Sequence, residues 1–354
     1  MGVDLYYFDQ NSNSLEPFNT ARPRVIFTTT EPPPPEPDPD PDPSDPTITS
    51  WQDAWNTQNY NTILGWYNAN AGLLDPSALQ PKTTGQLFTS TNGQVIENRD
   101  IEVGSGVQKC VNVMHNNVTV RNCRLTANGD SSGIWVDWGV TGTKIENCDI
   151  NGTYPSYGTS RSDGNYGNLG IMTRNSVVHI RFCRIYGVRQ GMLLHPFTLA
   201  EYNRVFDLHV NVSGVSTSSY RTLSENASGF NYNGGTTVRR NMGEAGSSHG
   251  IGAYAQGKPV RDCEWYENLV VGVGRAFGIR GGQVVDDPNR FNNRDIRIND
   301  NRFHGVFAYP TVLGEGTNAG VRIDQPGSTF DRNRWLGSSV DLPARCGVTQ
   351  DDCH

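Results

Sequence analysis

Between residues 95 and 337 hydrophobic and polar positions alternate in short bursts of two recurring kinds. One is a β-prone phrase built around Asn or Cys, occurring nine times, at 95–101, 118–125, 143–150, 178–185, 201–205, 237–242, 259–265, 298–303 and 330–335. The other opens with glycine and alternates strictly, at Gly133–Asp137, Gly170–Arg174, Gly191–His195, Gly229–Asn233, Gly250–Tyr254, Gly278–Gly282 and Gly320–Asp324. A period of two is the mark of a strand, and recurrence at roughly even intervals marks stacked copies of one unit. The alternation places Ile134, Ile171, Met192, Phe230, Ile251, Ile279 and Val321 inside, with the residues two and four after each glycine facing out. Each glycine marks a bend where a side chain would collide.

Aligning the first phrase on its Asn or Cys gives positions 99, 123, 148, 183, 203, 241, 263, 301 and 333. The interval from 99 to 123 measures a bare coil, and the longer intervals carry inserted loops. Cys123, Cys148, Cys183 and Cys263 share one position, stacked about 4.8 Å apart, so they read as small buried residues rather than a disulfide framework. Cys346 and Cys353 pair or stay free according to the redox environment.

Four segments surround the repeat of residues 88–340. Residues 1–30 carry Leu5, Tyr6, Tyr7, Phe8, Val25, Ile26 and Phe27 but are too few for a core of their own, so they are expected to order against something else. Residues 31–48 are a Pro/Asp-rich extended linker, which at about 3.1 Å per residue reaches on the order of 50 Å. In residues 49–87, Ser50 followed by Asp53 has the form of a helix cap, and Trp55, Ile63, Leu64 and Tyr67 can share one face. That helix is expected to cap the open first coil of the solenoid. Residues 341–354 are a C-terminal tail.

Composition narrows the class. Thirty-nine glycines and few helix formers suit an all-β chain. A net charge of −7 without a Lys/Arg cluster argues against nucleic acid as a partner. No apolar run is long enough for membrane insertion, and the first 30 residues lack the form of a signal peptide, so a soluble protein made in the host cytoplasm is expected. Cys-x-x-Cys and His-rich spacings are missing, so no metal and no cofactor is expected.

The stacked phrases resemble the right-handed parallel β-helix of the pectate-lyase-like superfamily over roughly residues 85–340, and imply about nine or ten coils. Asn98, Asn122 and Asn147 resemble that superfamily's asparagine ladders, whose amides satisfy turn backbone groups. The order of short N-terminal segment, stiff spacer and β-helix also resembles a bacteriophage tail component of the minor tail protein or tailspike kind. That resemblance implies a virion protein docked to other tail proteins through residues 1–48, with host cell-surface polysaccharide as its ligand and a homotrimer as one possible assembly.

The outward positions hold the candidate chemistry. Trp135, Arg174, Tyr254, Arg280, Arg322 and Asp324 are expected to line a groove walled by inserts 151–168, 211–227 and 305–318, where rings and polar groups suit a sugar chain. A depolymerase of lyase or hydrolase type is the alternative. Its acids would come from Asp130, Asp137, Asp163 and Glu225, set at carboxylate spacings of about 5 to 9.5 Å. His195 and His249 complete the catalytic candidates. Ser248-His249-Gly250 resembles the Gly-His-Gly of polygalacturonases without their preceding tandem aspartates. Ile134–Trp138 resembles the Trp-Ile-Asp-His segment of pectate lyases, with Trp138 where the histidine stands.

Overall fold

The computed structural model describes residues 48–104, 106, 108–152, 169–174, 176–208, 218–223, 233–244, 249–254, 260–272, 274–275, 277–280, 294–305, 307–309, 327 and 329–341, with the strands at 6–9 and 14–17. The chain divides into two units, Met1–Asp42 and Pro43–His354. In the first, Tyr6–Asp9 pairs antiparallel with Ser14–Pro17.

The second unit is a parallel solenoid. Its chain visits three sheets in turn, so that each strand pairs with its counterparts one coil before and one coil after. The first sheet contains Asp100–Val103, Arg124–Ala127 and Asp149–Gly152; the second contains Lys109–Val113, Ser132–Val136 and Leu169–Thr173; the third contains Val95–Glu97, Thr119–Arg121 and Thr143–Glu146. Among the described residues these sheets have ten, eight and ten strands, all parallel. One continuous core fills the space between them, including Ile101, Leu125 and Ile150 from the first sheet, Val111, Ile134 and Ile171 from the second, and Val120, Ile145 and Ile180 from the third. Each such side chain contributes about 1.5–3 kcal/mol by leaving water.

The Asn/Cys phrase marks the corner between the third sheet and the first. Asn98, Asn122 and Asn147 adopt left-handed backbone, with φ of 56°, 47° and 51°. Asn tolerates that region better than other side-chain-bearing residues. Phe182, Tyr202, Arg240, Glu267, Asp300 and Arg332 occupy the same corner in later coils. The next residue points inward: Cys123, Cys148 and Cys183, then Asn203, Asn241, Asn268, Asn301 and Asn333, all buried. The asparagines form a ladder, each amide Nδ2 donating to the next Oδ1 at 2.9–3.2 Å.

The structure corrects three expectations. Cys263 leaves the column: it lies in the strand Val260–Tyr266 opposite Ile296, and Asn268 holds the corner position. The confusion is local, since Asp262 before Cys263 also has positive φ. The strand that follows Gln190–Leu194 in the second sheet, fourth in the glycine series, is Ser218–Leu223, not the segment at 229–233; Tyr220 stacks between Met192 and Ile251, and Asn233–Gly234 belongs to the third sheet. At the sixth glycine strand the register moves by two, so Phe277 rather than Ile279 pairs with Ile251. Ile134, Ile171, Met192 and Ile251 are buried as the alternation requires, while Phe230 and Val321 lie outside the described residues.

The helical segment also departs from expectation. It forms two helices, α1 (Trp51–Asn56) and α2 (Tyr60–Asn70), broken where Gln58 takes a φ of 54°. Ser50 and Asp53 make the reciprocal cap at the start of α1. The helices do not cover the first coil. They lie along the solenoid's flank, with Trp51, Trp55, Ile63 and Tyr67 packed on Met242 and Leu269. The Tyr67 hydroxyl donates to the Arg240 carbonyl at 2.6 Å, the Tyr60 and His304 rings stack at 4.1 Å, and Arg302 Nε donates to Gln58 Oε1 at 3.0 Å. The reason is legible in one column of the first sheet, where Asp100, Arg124, Asp149, Arg184 and Arg204 give way to Met242 and Leu269. That apolar stretch faces outward and has to be covered.

Candidate functional site

Register in the second sheet assembles the outward positions. Asp137, Arg174 and His195 follow the paired strand ends of three successive coils, and Leu223, Tyr254 and Arg280 continue that column through their own pairings. The inner neighbouring column holds Asn112, Trp135, Met172, Leu193 and Arg221. Five residues singled out from sequence, Asp137, Arg174, His195, Tyr254 and Arg280, thus share one edge of one sheet. Only the backbone of Tyr254, Arg280 and His249 is described, and Arg322, Asp324, Asp163 and Glu225 lie outside the described residues.

The middle of this face is not an open groove. Met172 and Leu193 point away from the main core yet are fully buried, forming a second apolar cluster with Leu169 against which Trp135 packs. Much of the three expected wall segments lies outside the described residues. Of the remainder, Ser218–Leu223 is a strand of the sheet, and Phe307–Tyr309 pairs with Gly274–Arg275.

The described chemistry concentrates on the coils of Lys109, Trp135 and Arg174. The Lys109 ammonium stands 4.3 Å from the Trp135 ring centroid. The Arg174 guanidinium is 5.1 Å from the same ring and 4.8 Å from that of Trp138. Arg174 Nη1 reaches Asp137 Oδ1 at 4.0 Å, an ion pair outside hydrogen-bonding distance. Burial lowers the Lys109 pKa from the ordinary ammonium value. Trp138 is 37% exposed, the most open ring of the group.

His195 borders this cluster, its ring 6.4 Å from Trp138 and edge-on to it. It is 0% exposed, and neither ring nitrogen has a hydrogen-bond partner among the described residues. Burial, helped by the charge of Arg174, pushes its pKa down to about 3. An imidazole in that setting stays neutral at pH 7 and is a poor proton acceptor, so a general acid or base role is disfavoured.

The other catalytic candidates are kept apart. Asp130 sits in the turn before Ser132–Val136 and Asp137 follows that strand, which separates them by roughly 16 Å, beyond either hydrolytic spacing. His249 begins its strand at the opposite edge from Tyr254, and lies four strands from the strand that precedes Asp137. Two participants escaped sequence reading. Lys109 was missed because it pairs with Ser132, before the glycine position, whereas the alternation counted as outward only the residues two and four after it; Trp138 was in view only as a departure from a lyase motif.

Among the described residues no group of His, Cys, Asp and Glu has the form of a metal site, and no helix is long and apolar enough to cross a membrane. No protein-family model matches the chain, and no curated protein matches it.

Proposed function

We propose that this chain is an attachment component of a bacteriophage tail, of the minor tail protein or tailspike kind, built on a right-handed β-helix of the pectate-lyase-like type. In this reading the N-terminal unit docks to other tail proteins, and the outward edge of the second sheet meets glycan on the host surface. The observation that carries it is the order of parts: a separate N-terminal unit, a Pro/Asp-rich run, then a stiff parallel solenoid with an aromatic and cationic patch on one side. A coil held by backbone pairing on every side suits a rod that bears load and presents side chains at fixed spacing. The test is co-purification of the full chain with assembled tail particles, together with sedimentation of the purified protein with host cell walls. Failure of both sinks the reading.

Depolymerisation of that glycan is the second reading, favoured by the position of Asp137 at the outward edge beside Trp138 and Arg174. Release of reducing ends or unsaturated sugars from host polysaccharide, lost in Asp137→Ala, is the result it requires. The burial of His195 and the distance between Asp130 and Asp137 support binding over hydrolysis.

A further inference from the structure

The ring that sequence alone offers as a sugar platform is already occupied. Trp135 has Lys109 from the preceding coil and Arg174 from the following coil drawn against it, at 4.3 and 5.1 Å. A cation over an aromatic face is attracted by the ring's electron-rich surface, the more so when water is excluded. What this edge presents to a polymer is therefore two cations held in place, Arg174 with the Asp137 carboxylate 4.0 Å away, and Trp138 as the adjoining exposed ring. The Lys109 ammonium makes no hydrogen bond among the described residues and is partly desolvated, a state that an incoming anion relieves. All of this stands on a chain of net charge −7, so the patch runs against the charge of the whole molecule.

We propose that the Lys109–Trp135–Arg174–Trp138 patch recognises an anionic polysaccharide, its two cations meeting a carboxylate or phosphodiester group of the polymer while Trp138 stacks on the neighbouring sugar ring. Trp135 is a positioning residue that holds both cations in place. The inference rests on the glycan-attachment reading and narrows its ligand from any surface glycan to one bearing negative charge.

The test measures binding of the full chain to polygalacturonate, to poly(glycerol phosphate) and to dextran, giving a carboxylated, a phosphodiester and a neutral arm. The expected result is binding to one or both anionic polymers and not to dextran, weakening as salt rises from 50 to about 500 mM, where the screening length falls to a few Å. Lys109→Gln and Arg174→Gln are each expected to weaken binding about tenfold. Lys82→Gln, on the first coil and paired with Glu102, should leave it unchanged. Unaltered melting temperatures show that the variants fold. Dextran bound as well as the anionic polymers, variants that bind like the parent protein, or no polymer bound at all each overturn the anionic proposal. Retained sedimentation with host cell walls in any of those cases leaves the attachment reading standing, whereas failure both to sediment and to co-purify with tail particles removes that reading too.

Discussion

Cys183 and Asn203 sit one coil apart in a single inward column, and each donates to a carbonyl of the third-sheet strand one coil earlier. Cys183 Sγ lies 3.8 Å from the Ile145 oxygen and Asn203 Nδ2 lies 3.0 Å from the Ile180 oxygen. The asparagine does more, because its Oδ1 also accepts the backbone N–H of Cys183 at 2.9 Å. Asn268→Ala would orphan the Asn241 N–H and the Val238 carbonyl, each costing about 1–3 kcal/mol when buried. Cys148→Ala loses only a weak thiol donor, directed at the Glu146 and Val120 carbonyls. Urea unfolding should therefore show the larger loss for Asn268→Ala, and equal losses would refute the ladder's role. Burial pushes the Cys110 and Cys263 thiols up to about 12 and raises the Cys148 thiol well above its ordinary value. Mass-spectrometric labelling at pH 8 should find Cys110, Cys123, Cys148, Cys183 and Cys263 unreactive until the protein is unfolded. For His195 the folded-state pKa lies near 3 against an ordinary 6.5, so the unfolded chain takes up the proton first. Its contribution to stability is complete above about pH 6.5 and declines towards pH 3 at about 1.4 kcal/mol per pH unit. His304, half-buried against Tyr60, is displaced in the same direction. His195→Gln should flatten the decline by about one proton between pH 6 and 4.5 in denaturation series, and an unchanged slope would refute the assignment.

Two kinds of element carry the architecture. In the second sheet, a Cβ added at Gly170 would stand 2.4 Å from the Gly191 carbonyl oxygen and 2.5 Å from Ile185. Neither the ladder backbone nor a buried isoleucine can yield, so Gly170→Ala is expected to cost about 1–3 kcal/mol by overpacking. Gly65→Ala, with open space around its Cβ in the middle of α2, should instead be neutral or stabilising by up to about 1 kcal/mol. Thermal melts of the pair test this, and a Gly170→Ala melt unchanged from the parent would count against the stacking described. The helices α1 and α2 act as a strap. Their segment begins beside Arg302 and ends where Gln80 N donates to the Asn98 carbonyl at 2.8 Å, so it runs back along coils laid down much later in the chain. Tyr67→Phe removes the donor to Arg240 and the acceptor for Trp51 Nε1, a loss of about 1–3 kcal/mol in the same assay.

At the scale of the molecule, strap and solenoid make contacts between residues as far apart as Gln58 and Arg302. Parallel pairing of this kind requires long loops to close before contacts form, which slows folding. Refolding from urea is expected to take seconds or longer, and millisecond recovery of native fluorescence would contradict the topology.

The sequence by itself determined the coil: the alternation, the glycine bends and the left-handed asparagines are local consequences of side-chain period and backbone sterics, and they place Asp137, Arg174 and His195 on one edge. It also contained the signal for the strap, the change from Arg204 to Met242 and Leu269 in an outward column, but that column exists only once register is known. What the tertiary structure decided was environment. Burial made His195 neutral and closed the face at Met172 and Leu193, and stacking of successive coils brought Lys109 and Arg174 onto Trp135. Period tells which way a side chain points; only packing tells what it meets there.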